Sequence, residues 1–328
     1  MRRKVIKQGH NTLTITLPSK WAKRFKINAG DEIEFEETEN SLKIISEKNA
    51  DLSSTIVDIT DLSIPLIWRF VSSAYRAGYD EIRIRWEEKN SKMKNFYSAF
   101  SYDTLNYLFE NRSTELSPLE TIQALINRFV GVEIIDQRAN YCVVKELGET
   151  SYKEFDNSLR RIFLLILSMG EECEEAVKGN NADLKAIHLT DTNLDRFEDF
   201  CFRVLNKKKY VNPKKTPTVY SMIFLLELIG DEYKRFSVHL LKQEGEATPT
   251  IQEYLVKINK QFRNFYDLYY SFKKEKIREI YEVHSELELI FHTQYKQMSC
   301  SESEFYHHLR KISRFILSLV ELRIDLEF

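Results

Sequence analysis

Polar and apolar residues alternate over much of the first 46 residues, a pattern typical of strands with one buried face. Residues 12–17 form the clearest run, and residues 32–37 and 41–46 alternate again as two strands of a hairpin. Between these runs we expect Ser19 to cap a short helix over residues 20–25. The pattern predicts a small β module that carries a turn of helix.

Residues 50–149 mix strand and helix patterns. The segments with a strand or helix pattern are 55–59, 62–77, 81–86, 118–129, 132–136 and 141–145, in the order strand, helix, strand, helix and hairpin. This order predicts a small α/β sandwich, which we expect to be ferredoxin-like. The segment contains no phosphate-binding glycine loop, so we expect it to act as a spacer or a partner contact.

From residue 151 to residue 328 the spacing of apolar residues is helical almost throughout. Polar breaks, most of them with Gly, Pro or Asn, separate six predicted helices at 152–178, 182–206, 217–243, 249–271, 274–298 and 302–324. They can form two sets of three. The sequence thus predicts a multidomain α+β protein with a β domain (1–47), a small α/β domain (50–149) and an all-α domain (151–328).

Charge is distributed unevenly along the chain, although the formal net charge is only −2. Residues 1–30 carry eight Lys or Arg and no acid, whereas residues 31–39 carry six acids. A local basic surface favours binding to DNA phosphates. The residues that we expect to contact DNA are Arg2, Arg3, Lys4, Lys7, Lys20, Lys23 and Arg24. The alternative is a basic surface that only aids solubility.

Cysteine usage and hydropathy limit where the protein works. The four cysteines are far apart and show no zinc-site spacing, which predicts free thiols in a reducing cytoplasm. The most apolar run, residues 162–169, is shorter than the about 20 residues that cross a bilayer. We therefore expect a cytoplasmic protein that is not an integral membrane protein.

Two predicted helices each carry a pair of acids four residues apart. Asp191 and Asp195 form one pair, and Glu227 and Asp231 form the other. Positions four apart are neighbours on a helix, so two like charges there repel each other. Such pairs call for a cation, and oxygen ligands suit a divalent metal or iron. The alternative is a solvated helix shoulder on which Lys or Arg neutralises the acids.

Several residues of the N-terminal module stand at offsets shared with a known family. They are Gly9, Leu17, Pro18, Ser19, Trp21, Gly30, Asp31 and Ile33. With the basic first strand, they resemble the AbrB/MazE/SpoVT family of DNA-binding domains over residues 1–47. The resemblance implies a swapped-hairpin fold and a homodimer that forms through this domain.

The acidic pairs lie in the strings D-x-x-L-D (residues 191–195) and L-E-L-I-G-D (residues 226–231). Together they resemble the PhoU phosphate-uptake regulators, which consist of two three-helix repeats whose [E/D]-x-x-x-D motifs bind metal ions. Combined with the N-terminal domain, they resemble the archaeal PhoU-related regulators. The second repeat departs from this pattern, because residues 284–288 and 314–318 lack the carboxylate pairs. At most one of the two metal sites of the family is therefore expected.

The resulting hypothesis is a DNA-binding transcriptional regulator and not an enzyme. Its helical domain is expected to act as a sensor or partner platform, and the PhoU resemblance implies a link to phosphate uptake through a phosphate transporter or its regulator. One alternative is a PhoU-like adaptor that does not bind DNA. Another is a metal-dependent enzyme that uses the four acids, which ranks lower because no nucleophile or general base accompanies them in a recognisable motif.

Overall fold

The computed structural model describes residues 3–9, 12–38, 41–45, 53–87, 93–94, 115–148, 152–180, 183–184, 186–208, 210–242 and 247–328. The chain divides into two compact units, residues 1–54 and residues 55–328. The predicted three-domain boundaries stay a prediction.

The described residues of the first unit form two antiparallel hairpins and one short helix. Its elements are β1 (Ile6–Gln8), β2 (Thr12–Thr14), α1 (Ser19–Arg24), β3 (Glu34–Thr38) and β4 (Ser41–Ile45). β1 pairs with β2, and β3 pairs with β4. Gly30 lies between α1 and β3 with φ of 95°, a left-handed conformation that favours glycine. The predicted order of elements is confirmed, although β2 is shorter than residues 12–17.

The start of α1 differs from the prediction, because Ser19 does not cap the helix. Pro18 is the N-cap residue, with φ of −62° and ψ of 123°, and no side chain makes a capping hydrogen bond there. The backbone N–H of Ala22 donates to the carbonyl of Pro18 and closes the first turn. The fixed φ of proline suits a helix start, so Ser19 becomes the first helical residue. Trp21 and Phe25 share one face of α1, with ring centroids 5.3 Å apart.

The first described elements of the second unit include a four-stranded sheet. Its elements in chain order are β5 (Ser54–Asp58), α2 (Ile64–Arg76), β6 (Glu81–Arg85), α3 (Pro118–Ile126), β9 (Val132–Gln137) and β10 (Tyr141–Glu146). A short antiparallel pair, β7 (Met93–Lys94) and β8 (Glu115–Leu116), lies between β6 and α3 in the chain. The strands and helices share an apolar core that includes Val71, Ile84, Ile122 and Val144.

The predicted ferredoxin-like arrangement is wrong. That fold has the order β-α-β-β-α-β, with only one strand after the second helix. Here both β9 and β10 follow α3, and the spatial order of the sheet is β5-β6-β10-β9. Alternating hydrophobicity identifies strands but leaves open which distant strands pair, so the prediction failed on topology.

Among the residues described after residue 151, six α-helices form the rest of the second unit. They are α4 (Tyr152–Val177), α5 (Ala186–Lys208), α6 (Thr216–Lys242), α7 (Pro249–Tyr270), α8 (Lys274–Gln294) and α9 (Cys300–Asp325). The predicted helices are confirmed, with ends that shift by a few residues. Helices α4, α5 and α6 pack against one another, as do α7, α8 and α9, and the two sets share one apolar core.

Helix α5 also packs against α2 of the α/β layer. The buried guanidinium of Arg203 donates from Nη1 to the carbonyl of Tyr75 at 2.8 Å and from Nη2 to the carbonyl of Tyr79 at 2.9 Å. Lys207 pairs with Asp80 and Glu146 on the same layer. These contacts fix the helix that carries Asp191 and Asp195 against the end of α2.

The remaining sequence expectations concern the thiols and the membrane. Cys142, Cys173 and Cys201 are buried, Cys300 is exposed, and all four are free, as predicted. Burial raises the pKa of the Cys142 thiol to about 12. None of the helices in the described ranges combines the length and apolar composition that crossing a bilayer needs.

Candidate functional site

The predicted DNA-contacting residues lie on an exposed surface of the first unit. Arg2 lies outside the described residues, and the other six are all exposed, namely Arg3, Lys4, Lys7, Lys20, Lys23 and Arg24. Lys7 lies on β1, while Lys20, Lys23 and Arg24 lie on α1. Lys23 and Arg24 occupy the last turn of α1, where cations also interact favourably with the helix dipole.

The predicted acids meet where α5 and α6 pack closely. Gly230 lies beside Leu194, and a Cβ atom at Gly230 would stand only 2.7 Å from Leu194 Cδ1. The glycine therefore allows an approach of the two helices that any larger residue would hinder. This contact lies between the acids of the two motifs, so it brings Asp191 and Asp195 near Glu227 and Asp231.

Lys234 neutralises one half of this group. Its ammonium lies 2.6 Å from Asp191 and 2.7 Å from Asp231, and Arg235 pairs with Asp231 at 3.0 Å. Both Lys234 and Asp191 are buried. The chain itself thus supplies the cation that these two acids call for. A lysine partner agrees with the alternative raised from the sequence, but the pair is buried and does not lie on a solvated helix shoulder.

The other half forms a tight set of three carboxylates that we call the triad site: Asp195, Glu198 and Glu227. One oxygen of each lies within 4.8 Å of the others. Glu198, which is buried on α5, was not among the acids predicted from the sequence. Its position could have been found, because residues three apart lie on one helix face and Glu198 follows Asp195 by three.

Cations contact the triad site unevenly. Nη2 of Arg128, just after α3, donates to Asp195 at 2.8 Å. Arg76 on α2 pairs with Asp199, next to Glu198 in the chain. Within the described part of the chain, no Lys, Arg or His pairs with Glu198 or Glu227. The site is therefore short of positive charge at these two residues.

Burial and the neighbouring carboxylates shift the protonation of these two acids. Burial, and then the charges of Asp231 and Asp195, raise the pKa of Glu227 to about 8. Burial and the nearby Glu227 likewise raise the pKa of Glu198 well above its usual range. Without a further cation, both carboxyls are therefore stabilised in their protonated form. A cation among the three would favour the ionised form instead.

At the corresponding position of the second set of helices, the described residues hold no comparable group of carboxylates. Glu288 receives two hydrogen bonds from Arg310, at 2.8 and 2.7 Å, and His284 contacts the Ser313 hydroxyl at 3.0 Å. Arg310 also lies over the ring of Phe291, 3.9 Å from its centroid. These partners satisfy the acid, so nothing at this position calls for an added cation.

The two units thus define a protein that joins a basic β-hairpin module to a mixed, mostly helical body with a buried carboxylate site. Residues 6–51 match the family model described as antidote-toxin recognition MazE, bacterial antitoxin. No curated protein and no solved structure matches the chain. The match confirms the AbrB/MazE-like nature of the N-terminal module, a type found in DNA-binding and antitoxin-type regulators.

Proposed function

We propose that this protein is a DNA-binding transcriptional regulator. The proposal rests mainly on the match of residues 6–51 to a MazE-type module whose predicted contact residues, so far as they are described, are all exposed. Cations on such a surface neutralise phosphates and release counterions from DNA. We assign DNA contact to the seven residues expected from the sequence.

The apolar residues of the first unit support a homodimer. Leu13 is 71% exposed, and Val5, Ile6, Phe35 and Leu42 are each more than half exposed in the single chain. A module this small buries too little apolar surface alone, and pairing with a second copy is one way to cover it. We therefore propose that two chains associate through their N-terminal hairpins.

The helical part is proposed to act as the sensor or partner platform. Its two packed sets of three helices, α4 to α6 and α7 to α9, and the L-E-L-I-G-D string support the resemblance to PhoU. On that ground we place the regulated process in phosphate uptake. The partner is then a phosphate transporter or its regulator, and the interaction takes place in the cytoplasm.

A divalent metal or iron is proposed to bind the triad site. The donor set fits such an ion, because three carboxylates converge there and two of them lack a cation partner among the described residues. Asp195, Glu198 and Glu227 would hold the ion, which would supply positive charge and bridge α5 to α6. Asp191 and Asp231 are kept from it by Lys234. We assign the ion a regulatory and not a catalytic role.

DNA binding is tested by selecting duplexes from a random library with the full chain and measuring affinity at 50 and 200 mM salt. A protein that neutralises six to ten phosphates loses about 10³-fold or more in affinity over this range. Affinity that does not change with salt, or failure to select any duplex, contradicts the proposal. Metal analysis of the purified protein, with Glu198→Gln and Glu227→Gln as variants, tests the triad site separately.

The description of the matching family model favours a second candidate, an antitoxin-type regulator in which the same module recognises a toxin protein. Co-purification of a stoichiometric toxin partner with the full chain supports this candidate. The adaptor alternative predicts instead that deleting residues 1–47 leaves promoter occupancy unchanged. The metal-dependent enzyme alternative is supported if the protein has a turnover activity that is lost when Asp195 and Glu227 are replaced.

A further inference from the structure

Arg128 connects the α/β layer to the triad site. It follows α3, and its Nη2 donates to Oδ2 of Asp195 at 2.8 Å. Its guanidinium lies over the ring of Trp68 on α2, 4.7 Å from the centroid. The side chain of Arg128 is only 14% exposed. Arg128 of the α/β layer is thus largely buried, and it donates a hydrogen bond to one carboxylate of helix α5.

The environment of Arg128 leaves part of its bonding capacity unused. Its Nε is buried and has no hydrogen-bond partner. Arginine offers five N–H donors, and a buried donor without a partner costs free energy. The ring of Trp68 and the negative charge of Asp195 offset that cost. The position of Arg128 therefore depends on the negative charge of Asp195 and on that carboxylate not being bound to another cation.

We propose that Arg128 is the resident counter-ion of the triad site and that a divalent cation bound there displaces it from Asp195. The proposal rests on the metal site of the proposed function and adds how its occupancy is sensed. The two cations compete for the same carboxylate, and like charges a few ångströms apart repel each other. Metal binding thereby removes the main attraction that holds Arg128 in a position where its Nε has no hydrogen-bond partner.

The rest of the interface determines what moves. Arg203 bonds to the carbonyls of Tyr75 and Tyr79, and Lys207 pairs with Asp80 and Glu146, and none of these partners belongs to the triad site. These contacts stay in place when the ion binds. Release of Arg128 then loosens the α3–β9 corner alone, because α3 packs against α2 and β9. Binding of a metal ion at the triad site of the helical part thus changes the stability of the α/β layer.

The first test compares the affinity of the full chain and its Arg128→Gln variant for Mn²⁺ by calorimetry. Removing the competing cation is expected to tighten Mn²⁺ binding about tenfold, which corresponds to about 1.4 kcal/mol. Arg138→Gln is the matched control, since Arg138 is exposed and pairs with Asp136 instead of the triad site. This control is expected to bind Mn²⁺ like the unmodified protein.

The second test needs no variant, so it holds even if Arg128→Gln folds poorly. Saturating Mn²⁺ is expected to speed amide hydrogen exchange in residues 127–137 of the unmodified chain, while residues 79–86 near Arg203 stay unchanged.

Two results separate the failure of this proposal from the failure of the metal site. Equal or weaker Mn²⁺ binding by Arg128→Gln, or exchange in residues 127–137 that does not respond to Mn²⁺, overturns the counter-ion role while the metal site stands. If neither the unmodified chain nor Arg128→Gln nor Arg138→Gln binds Mn²⁺ at all, both the metal site and the proposed displacement of Arg128 are overturned.

Discussion

The ammonium of Lys234 lies 2.6 Å from Oδ2 of Asp191, buried between α5 and α6. Asp231 contacts the same ammonium at 2.7 Å. Burial lowers the pKa of Lys234, but the carboxylates of Asp191 and Asp231 outweigh burial and raise that pKa above its ordinary value. The lysine therefore stays charged and joins the two helices through Asp191 and Asp231.

Replacing Lys234 by Met should strongly destabilise the protein, because Asp191 is then left buried without its cation. Breaking a buried ion pair in this way lowers the free energy of unfolding by about 3–5 kcal/mol. Adding Asp191→Asn to Lys234→Met should recover part of the loss. Urea denaturation of the single and double variants measures both effects.

The control for this prediction is Lys257→Met. Lys257 pairs with Glu253 and Glu286, which are both more than half exposed. An exposed pair contributes about 0–1 kcal/mol, so this variant should unfold almost like the unmodified protein. Similar losses in the two lysine variants would mean that burial does not set the strength of the Lys234 pairs.

Glu227 should make the metal-free protein less stable as pH rises. Its pKa is about 8 in the folded chain, through burial first and then Asp231, against 4.5 as the reference value. Between these pH values the folded state holds a proton that the unfolded state has lost. This contribution to stability is fully present below pH 4.5 and is lost as pH rises towards 8, with a slope of at most about 1.4 kcal/mol per pH unit.

Urea denaturation between pH 5.5 and 8.5 with EDTA measures the slope, which Glu227→Gln should reduce. Glu282→Gln serves as the control, since Glu282 is an exposed acid in a surface pair with Arg278. Its slope should equal that of the unmodified chain. A slope that Glu227→Gln leaves unchanged would rule out this carboxyl as the source.

The helices and strands could be predicted because their amphipathic spacing is local. The acids at 191, 195, 227 and 231 could be found in the same way, since positions four apart share a helix face. What each acid contacts could not be found. Arg128 reaches Asp195 from 67 positions away in the chain, and that contact depends on how the α/β layer packs on α5.

Hydrophobic patterning also failed to predict contacts for which several partners compete. Lys234 lies three residues after Asp231, so the sequence allowed a surface pair, yet the structure buries it against Asp191. The strand order of the sheet is another case, because β10 pairs with β6 across more than 50 residues. Long-range pairing and burial together decide such contacts, and neither has a periodic signature.

His308 and Glu232 form a buried link between α9 and α6. Nδ1 of His308 lies 2.7 Å from Oε2 of Glu232, and both side chains are buried. His308→Leu leaves the glutamate with less compensation, so the free energy of unfolding should fall by about 2–3 kcal/mol. Thermal and urea unfolding near pH 7 both report this loss.

The neighbouring histidine supplies the control for His308. His307 is exposed on the same helix. His307→Leu should change stability by less than about 0.5 kcal/mol, as most surface substitutions do. If His307→Leu proves as costly as His308→Leu, the effect arises from the helix surface and not from Glu232.

DNA binding should weaken when two basic residues at the end of α1 are removed. Lys23→Ala combined with Arg24→Ala deletes two exposed cations, which should reduce the slope of log affinity against log salt by about 2. The control is Lys273→Ala with Lys274→Ala, an exposed pair at the start of α8 that carries the same charge. Equal loss of affinity in both double variants would point to overall charge instead of a surface on α1.

Arg203→Lys should destabilise the second unit even though the charge is kept. The planar guanidinium donates to the carbonyls of Tyr75 and Tyr79 together and lies over the Tyr75 ring, 4.8 Å from its centroid. A lysine ammonium cannot reproduce this forked geometry, so at least one carbonyl at the end of α2 loses its donor. A buried group without its partner costs about 1–3 kcal/mol, which urea denaturation resolves.

Arg196→Lys is the control because Arg196 is exposed on the same helix, and its substitution should leave the unfolding midpoint unchanged. If the two variants unfold alike, charge alone holds α2 to α5, and the α/β layer is attached less specifically than these hydrogen bonds indicate.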